Sequence, residues 1–172
     1  MATKKTSMFT LTERITCTST AETFATIDLG SYVDVGDRQA LQVHSVDFIF
    51  QGGTGGGSPT ASLGAMGNVF VQVTDLNRSG LVFADDRALV ASGTLSYDPD
   101  AYLTMDADLY PDNYGKGSDD GRFVVNDQLY ICAKANPLAS DLNVTIRVNA
   151  SIVTLTQKDF MAIAIQSTAA DN

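Results

Sequence analysis

The chain has very few of the residues on which most catalytic and metal sites depend. Its 172 residues include one histidine, two cysteines and no tryptophan. A Ser-His-Asp or Cys-His catalytic unit would have to use His44, and no Gly-x-Ser-x-Gly nucleophile elbow is present. No Cys/His spacing typical of zinc sites occurs, and Cys17 and Cys132 are too few for a disulfide scaffold. We therefore expect a protein that is not an enzyme, with His44 as a packed or surface residue and both cysteines as buried free thiols.

Glutamate is scarce as well. The 20 acidic residues are 18 Asp and two Glu, against 11 Lys plus Arg, so the formal net charge is −9. Glutamate favours helices, whereas aspartate favours turns and helix caps. An acidic population that is nearly all aspartate therefore indicates loops and strands. The net negative charge also argues against a duplex-binding role, because such a surface repels nucleic acid.

Long apolar runs are missing. No stretch approaches the roughly 18 apolar residues of a membrane-spanning helix. Residues 1–7 are polar and contain no apolar segment of signal-peptide length. We therefore expect a protein that is made in a cytoplasm, is not secreted through a signal peptide, has no membrane span and stays soluble until it assembles.

The dominant pattern is an alternation of apolar and polar residues with period two, which is typical of β-strands. Ten short runs show it or are continuously apolar: 9–17, 25–29, 39–50, 69–73, 81–83, 89–97, 102–109, 123–133, 142–152 and 160–165. No amphipathic helix of ten residues or more is evident, so the helical crossovers of a parallel sheet are excluded. No repeat period is visible, and an immunoglobulin domain would usually place a tryptophan between two cysteines. The sequence predicts an all-β antiparallel sandwich, best described as a single jelly roll of eight to ten strands.

Several local expectations accompany this fold. The jelly-roll domain should span 8–167, between a short polar and basic arm (1–7) and a polar tail (168–172). The inward parity changes within 39–50, which predicts a β-bulge near His44 and Ser45, and it changes again at 153–155, which suggests a bend. The glycine-rich stretch 51–58 predicts a flexible loop that extends through 64–67. One turn of helix is predicted over 87–91, and 160–165 favours a strand over a short helix.

Seven aspartates are concentrated between residues 98 and 120. One interpretation is a set of solvated loops with the outer face of one strand. The other is calcium, because hard cations bind several carboxylate oxygens and would neutralise the clustered charge. The best candidate ligands are Asp98, Asp100, Asp119 and Asp120. No EF-hand spacing is present, so such a site would have to combine separate loops or two subunits.

The start of the chain is locally basic. Lys4, Lys5 and Arg14 face only one acidic residue, Glu13, within the first fourteen residues. A basic arm on an acidic chain can contact nucleic acid inside a shell. Two adjacent lysines would neutralise few phosphates, however, so the predicted contact is weak, and a plain solvated terminus is the alternative.

Taken together, the polar and basic start and the segments 9–16, 39–50 and 122–131 resemble the single-jelly-roll coat proteins of small icosahedral viruses, including viruses with small single-stranded DNA genomes. The resemblance implies a homo-oligomeric subunit that closes into a shell in the virion after synthesis in the host cytoplasm. The chain lacks the long Arg/Lys-rich arm of many coat proteins, which leaves a major-capsid, penton or decoration role open.

The first functional hypothesis is therefore a self-assembling capsid subunit, whose candidate interface elements are the two termini and the glycine-rich and aspartate-rich loops. The second is a virion spike, decoration protein or lectin-like module that binds a carbohydrate or a receptor, with calcium as its one candidate cofactor. A β-sandwich enzyme with a carboxylate pair is the third.

Overall fold

The computed structural model describes residues 3–4, 6–53, 55–98, 103–107 and 121–168. These residues form ten strands, one 3₁₀ turn and one helix. In chain order the elements are β1 (Thr3–Lys4), β2 (Phe9–Cys17), β3 (Thr23–Asp28), β4 (Gln39–Gly52), a 3₁₀ turn (Pro59–Ala61), β5 (Leu63–Thr74), β6 (Leu89–Tyr97), β7 (Leu103–Ala107), β8 (Arg122–Val124), β9 (Gln128–Leu138), β10 (Leu142–Thr154) and α1 (Gln157–Thr168).

The strands form two antiparallel sheets. In sheet A, β10 pairs with β4 on one side, and β4 pairs with β8; β1 and β2 follow one another along the other side of β10. Sheet B has the order β3-β9-β5-β6-β7. The chain passes from one sheet to the other between β2, β3, β4 and β5 and again between β7, β8, β9 and β10. This wrapping of two antiparallel sheets is a jelly roll, and it confirms the predicted fold class.

The main hydrophobic core fills the space between the sheets. It is built from the inward-facing alternate residues of both sheets, such as Leu41, Val43, Val71, Ile131 and Ile146. Both cysteines are buried free thiols, as predicted. Because one face of each strand is buried here, the opposite faces of sheets A and B are left to bind partners or face solvent.

Sheet A contains the predicted bulge. Ser45 pairs with Asn149 and Val43 pairs with Ala150, so His44 is an extra residue on β4. The bulge restores inward orientation to Val46 and Phe48 after the change of parity. The bulge at His44 and Ser45 is therefore confirmed.

The helix α1 corrects the prediction of a strand at 160–165. Thr156 is its N-cap: the hydroxyl accepts a hydrogen bond from the Asp159 amide (3.2 Å) and donates one to the Asp159 carboxylate (2.7 Å). The threonine thus caps one of the free amides of the first turn, and its hydroxyl is in turn held by the aspartate carboxylate. It also lowers the pKa of the Asp159 carboxyl group.

The same helix explains the change of parity late in β10. Val153 and Leu155 belong to a second apolar cluster with Ala40 and Phe160, separate from the core between the sheets. Strand β10 continues through Thr154. The residues alternate normally, but α1 covers the outer face of sheet A at this end, so both faces of the strand require apolar residues.

Two more strand predictions are corrected. Residues 123–133 form two strands rather than one, because β8 pairs with β4 in sheet A whereas β9 pairs with β3 and β5 in sheet B. Residues 64–67 are part of β5 rather than of the glycine-rich loop. They lie in a wide irregularity in which Leu63 pairs with Leu138 and Asn68 with Asn136.

Candidate functional site on the outer face of sheet B

The predicted calcium ligands fall largely outside the described residues. Asp98 follows β6 and is exposed, but Asp100, Asp119 and Asp120 lie in segments that the structure does not describe. Within the described ranges, no group of three or more His, Cys, Asp or Glu side chains could hold a metal ion. The calcium site stays a prediction.

The predicted nucleic-acid contacts are not brought together. Lys4 pairs with Val153 and Arg14 with Thr145, both on β10, so the two lie roughly 27 Å apart at about 3.4 Å per residue. Lys5 is outside the described residues. Arg14 is exposed, and so is Arg147, which pairs with Thr12 two positions further along the ladder. Arg147 was missed because it is far from the N-terminus in sequence.

His44 takes part in a polar cluster on sheet A. Its Nε2 atom lies 2.9 Å from the Ser151 hydroxyl, which in turn lies 3.4 Å from the Gln42 side-chain oxygen. Ser151 is fully buried. A serine hydroxyl without solvent access cannot attack a substrate in this conformation, so the cluster is suited to packing at the bulge and not to nucleophilic catalysis.

Sheet B, in contrast, exposes large apolar side chains on its outer face. Phe24 on β3 is 54% exposed and Phe70 on β5 is 40% exposed. Their neighbours in sequence, such as Ala25 and Val71, point inward. A phenylalanine at an outward position is unfavourable in water unless something covers it, and a group of them marks an interaction surface.

The connection between β5 and β6 folds over this face. The Gln72 side chain donates to the Val82 carbonyl oxygen (2.9 Å) and accepts from the Val82 amide (2.7 Å). The Gln72 side chain therefore bonds the backbone groups of Val82 that a neighbouring strand would otherwise bond. The prediction of a strand at 81–83 is wrong. The predicted helical turn at 87–91 is also wrong, because β6 begins at Leu89.

A buried ion pair fixes the base of this connection. The Asp75 carboxylate accepts a hydrogen bond from Arg122 (3.1 Å), and the same guanidinium donates to the Arg87 carbonyl oxygen. Asp75 is 3% exposed, and its Oδ1 atom has no hydrogen-bond partner among the described residues. Burial raises the pKa of the Asp75 carboxyl group, although Arg122 opposes that effect.

A cavity of about 390 Å³ lies between sheet B and the turn at 77–80. Its walls include Phe24, Tyr130 and Cys132. Burial, and secondarily the charge of Glu22, raises the pKa of the Cys132 thiol to about 11. Because the thiolate is the reactive form, Cys132 is suited to lining the cavity and not to acting as a nucleophile.

Two ion pairs lie around this cavity. Arg78, which lines it, is 2.8 Å from Asp86, and Lys134, two residues beyond Cys132, is 3.6 Å from Glu22. Each cation keeps solvent access, since the Arg78 side chain is 27% exposed and the Lys134 side chain 41% exposed. The site is thus an apolar cavity with cations near its edge, on a chain that is acidic overall.

Beyond this cavity, Phe83 is 87% exposed. It directly follows Val82, which Gln72 holds against sheet B. We call Phe24, Phe70, Phe83 and the cavity together the apolar surface of sheet B. One feature of the sequence indicated this surface: Phe24 and Phe70 occupy positions at which their alternating segments otherwise have polar residues. None of the interface elements expected from the sequence includes it.

No model of a known protein family matches this chain, and no curated protein matches it. Among the described residues no helix is long and apolar enough to cross a membrane.

Proposed function

We propose that this protein is a structural subunit that assembles with copies of itself, and that it serves as a viral coat protein. The observation that carries the assembly step is the apolar surface of sheet B, where three phenylalanines remain exposed in the single chain. Fully burying an exposed phenylalanine contributes about 1.5–3 kcal/mol, which applies to Phe83, and roughly half of that remains for Phe24 and Phe70, which are already half-buried. A second copy would provide that burial.

The coat role depends on analogy with the fold. Jelly rolls occur in viral capsid proteins and in lectin domains, and a fold by itself hosts many functions. In a shell, the rigid sandwich would form the wall while sheet faces and loops supply the contacts that close it. Contact with packaged nucleic acid would be weak, because the exposed arginines Arg14 and Arg147 neutralise few phosphates.

The second candidate is a spike, decoration or lectin-like binding module. The observation that favours it is the cavity itself, since about 390 Å³ falls within the range of small-ligand sites. Its aromatic walls, Phe24 and Tyr130, and its polar edge at Asn77 suit a sugar ring. Binding of the purified protein to a glycan array, with and without EDTA, tests this candidate and the predicted calcium together.

Assembly is tested by electron microscopy and light scattering of the purified chain over a wide range of concentrations. We expect shells, rings or other closed oligomers. The variant Phe24→Ser should weaken them, whereas Met161→Ser, which removes an exposed apolar side chain from α1, should not. A wild-type protein that stays at 18.3 kDa at high concentration would refute the proposal.

A further inference from the structure

The backbone that carries the projecting Phe83 side chain is held in place before any partner arrives. Val82 is fixed by two hydrogen bonds to Gln72. On the other side, the Asp86 amide donates to the Phe83 carbonyl oxygen (3.1 Å), and the Asp86 carboxylate accepts from the Ala88 amide (2.8 Å). The backbone around Phe83 is therefore already ordered, so docking it elsewhere would cost little additional conformational entropy.

The cavity in the same face is large enough to receive a phenyl ring. A cavity of roughly 150 Å³ can hold benzene, and this one measures about 390 Å³. Phe83 does not fill the cavity of its own chain, because 87% of it is exposed. The chain thus carries an unburied aromatic group and an unfilled apolar recess.

The charges beside these two features are complementary. Asp85, two residues after Phe83, is exposed. Near the cavity, Arg78 and Lys134 keep solvent access, although each is already paired with an acidic residue of its own chain, Asp86 and Glu22. Among the described residues that line the cavity, Arg78 is charged and none is acidic, so the recess itself favours a partner segment in which an aromatic side chain is followed by an acidic one. Residues 83–85 have this character.

We propose that Phe83 of one copy docks in the cavity of a second copy, against Phe24 and Tyr130, with Asp85 facing Arg78 and Lys134. This inference rests on the proposed assembly and names one of its contacts. The projecting group and the recess belong to the same chain, so each copy supplies both halves. The contact closes as a two-fold pair if it is reciprocal, and it continues from copy to copy as a ring or shell if it is not.

Substitutions at two exposed positions test the two halves of the contact separately. Phe83→Ala removes the docking side chain and leaves the cavity intact. Ser79→Trp, in the turn at 77–80, places a large ring at the cavity and leaves Phe83 intact. Each variant alone should weaken self-association about 10- to 100-fold by sedimentation velocity, the range expected for losing one buried aromatic side chain. Met161→Ala, which changes an exposed apolar side chain of α1 outside the apolar surface of sheet B, is the matched control.

The decisive measurement is a 1:1 mixture of the two variants. Phe83 of the Ser79→Trp chain can enter the open cavity of the Phe83→Ala chain, so mixed pairs should form at concentrations where neither variant associates alone. Thermal melting followed by circular dichroism checks that both are folded, and Asn77→Trp replaces Ser79→Trp if that variant is not.

The alternative results are distinct. Assembly of Phe83→Ala with wild-type affinity overturns this contact and leaves the proposed function standing. Failure of the mixture to associate also overturns the Phe83 contact. So does a small apolar ligand or sugar that fills the cavity without affecting assembly. A wild-type chain that is monomeric throughout overturns both proposals.

Discussion

Replacing Gly93 by alanine tests how closely the two sheets approach each other. A Cβ atom on Gly93, in β6 of sheet B, would lie 2.7 Å from Cδ2 of Phe48, in β4 of sheet A. Carbon atoms in good contact are about 3.5–4.0 Å apart, so the phenyl ring would have to shift by roughly 1 Å within a packed core. Overpacking of this kind costs about 1–3 kcal/mol.

A second effect of the substitution stabilises the folded state, but it is smaller than the cost of overpacking. The backbone of Gly93 does not have a positive φ, and replacing such a glycine by alanine stabilises a protein by about 0.4–1 kcal/mol through the unfolded chain. We therefore expect Gly93→Ala to lower the free energy of unfolding by about 1–2 kcal/mol. For a domain of this size the melting temperature should fall by roughly 2–8 °C.

Urea unfolding followed by far-ultraviolet circular dichroism, below the concentration at which the protein assembles, measures this change. Gly57→Ala is the matched control, because its new Cβ atom would have nothing within 4 Å. In the double variant Gly93→Ala with Phe48→Leu, the loss of stability should be about 0.5–3 kcal/mol smaller than the sum of the losses in the two single variants. Equal stabilities for Gly93→Ala and Gly57→Ala would refute the packing of β6 against β4.

Two further predictions concern the outer elements of the fold. Phe160→Ala should lower the free energy of unfolding by about 3–5 kcal/mol, because this side chain of α1 is only 6% exposed. Met161→Ala, at the neighbouring exposed position, should change the free energy of unfolding by less than about 0.5 kcal/mol. Equal losses for the two variants in urea titrations would contradict the packing of the helix. The pKa of Asp75 is raised by burial, so the folded state binds its proton more tightly than the unfolded state. The stabilisation from this tighter proton binding is complete below about pH 4, the ordinary pKa of aspartate, and is lost as the pH rises through the raised pKa of the folded state. The stability of wild type relative to Asp75→Asn should therefore fall as the pH rises above about 4. Exposed Asp85→Asn is the control for loss of one charge, and a rise in relative stability would mean that the pairing with Arg122 outweighs burial.

Much of the architecture could be predicted from local patterns. Period-two alternation located β2, β6 and most of β10, and the parity change placed the bulge at His44. The errors occurred where one element depends on a distant one. Residues 81–83 have strand character, but the Gln72 side chain occupies the backbone groups that a strand would use. The apolar run at 160–165 was ambiguous by itself, although the N-cap residue Thr156 shortly before it favoured a helix.

The candidate site was much less predictable. The sequence directed attention to clusters of like residues, such as the aspartates after 98 and the basic residues near the start. The apolar surface of sheet B has no such cluster, because Phe24, Phe70 and Phe83 come from different segments. Only their outward parity, seen for Phe24 and Phe70, separated them from core phenylalanines.

The sequence alone therefore determined that this chain is an antiparallel β-sandwich with buried thiols, because alternation and turn residues act over a few positions and need no knowledge of partners. Tertiary structure decided which strands join which sheet, which face α1 covers and which phenylalanines stay exposed. Those properties depend on pairing between segments as far apart in sequence as β2 and β10, and many such pairings satisfy the same local pattern.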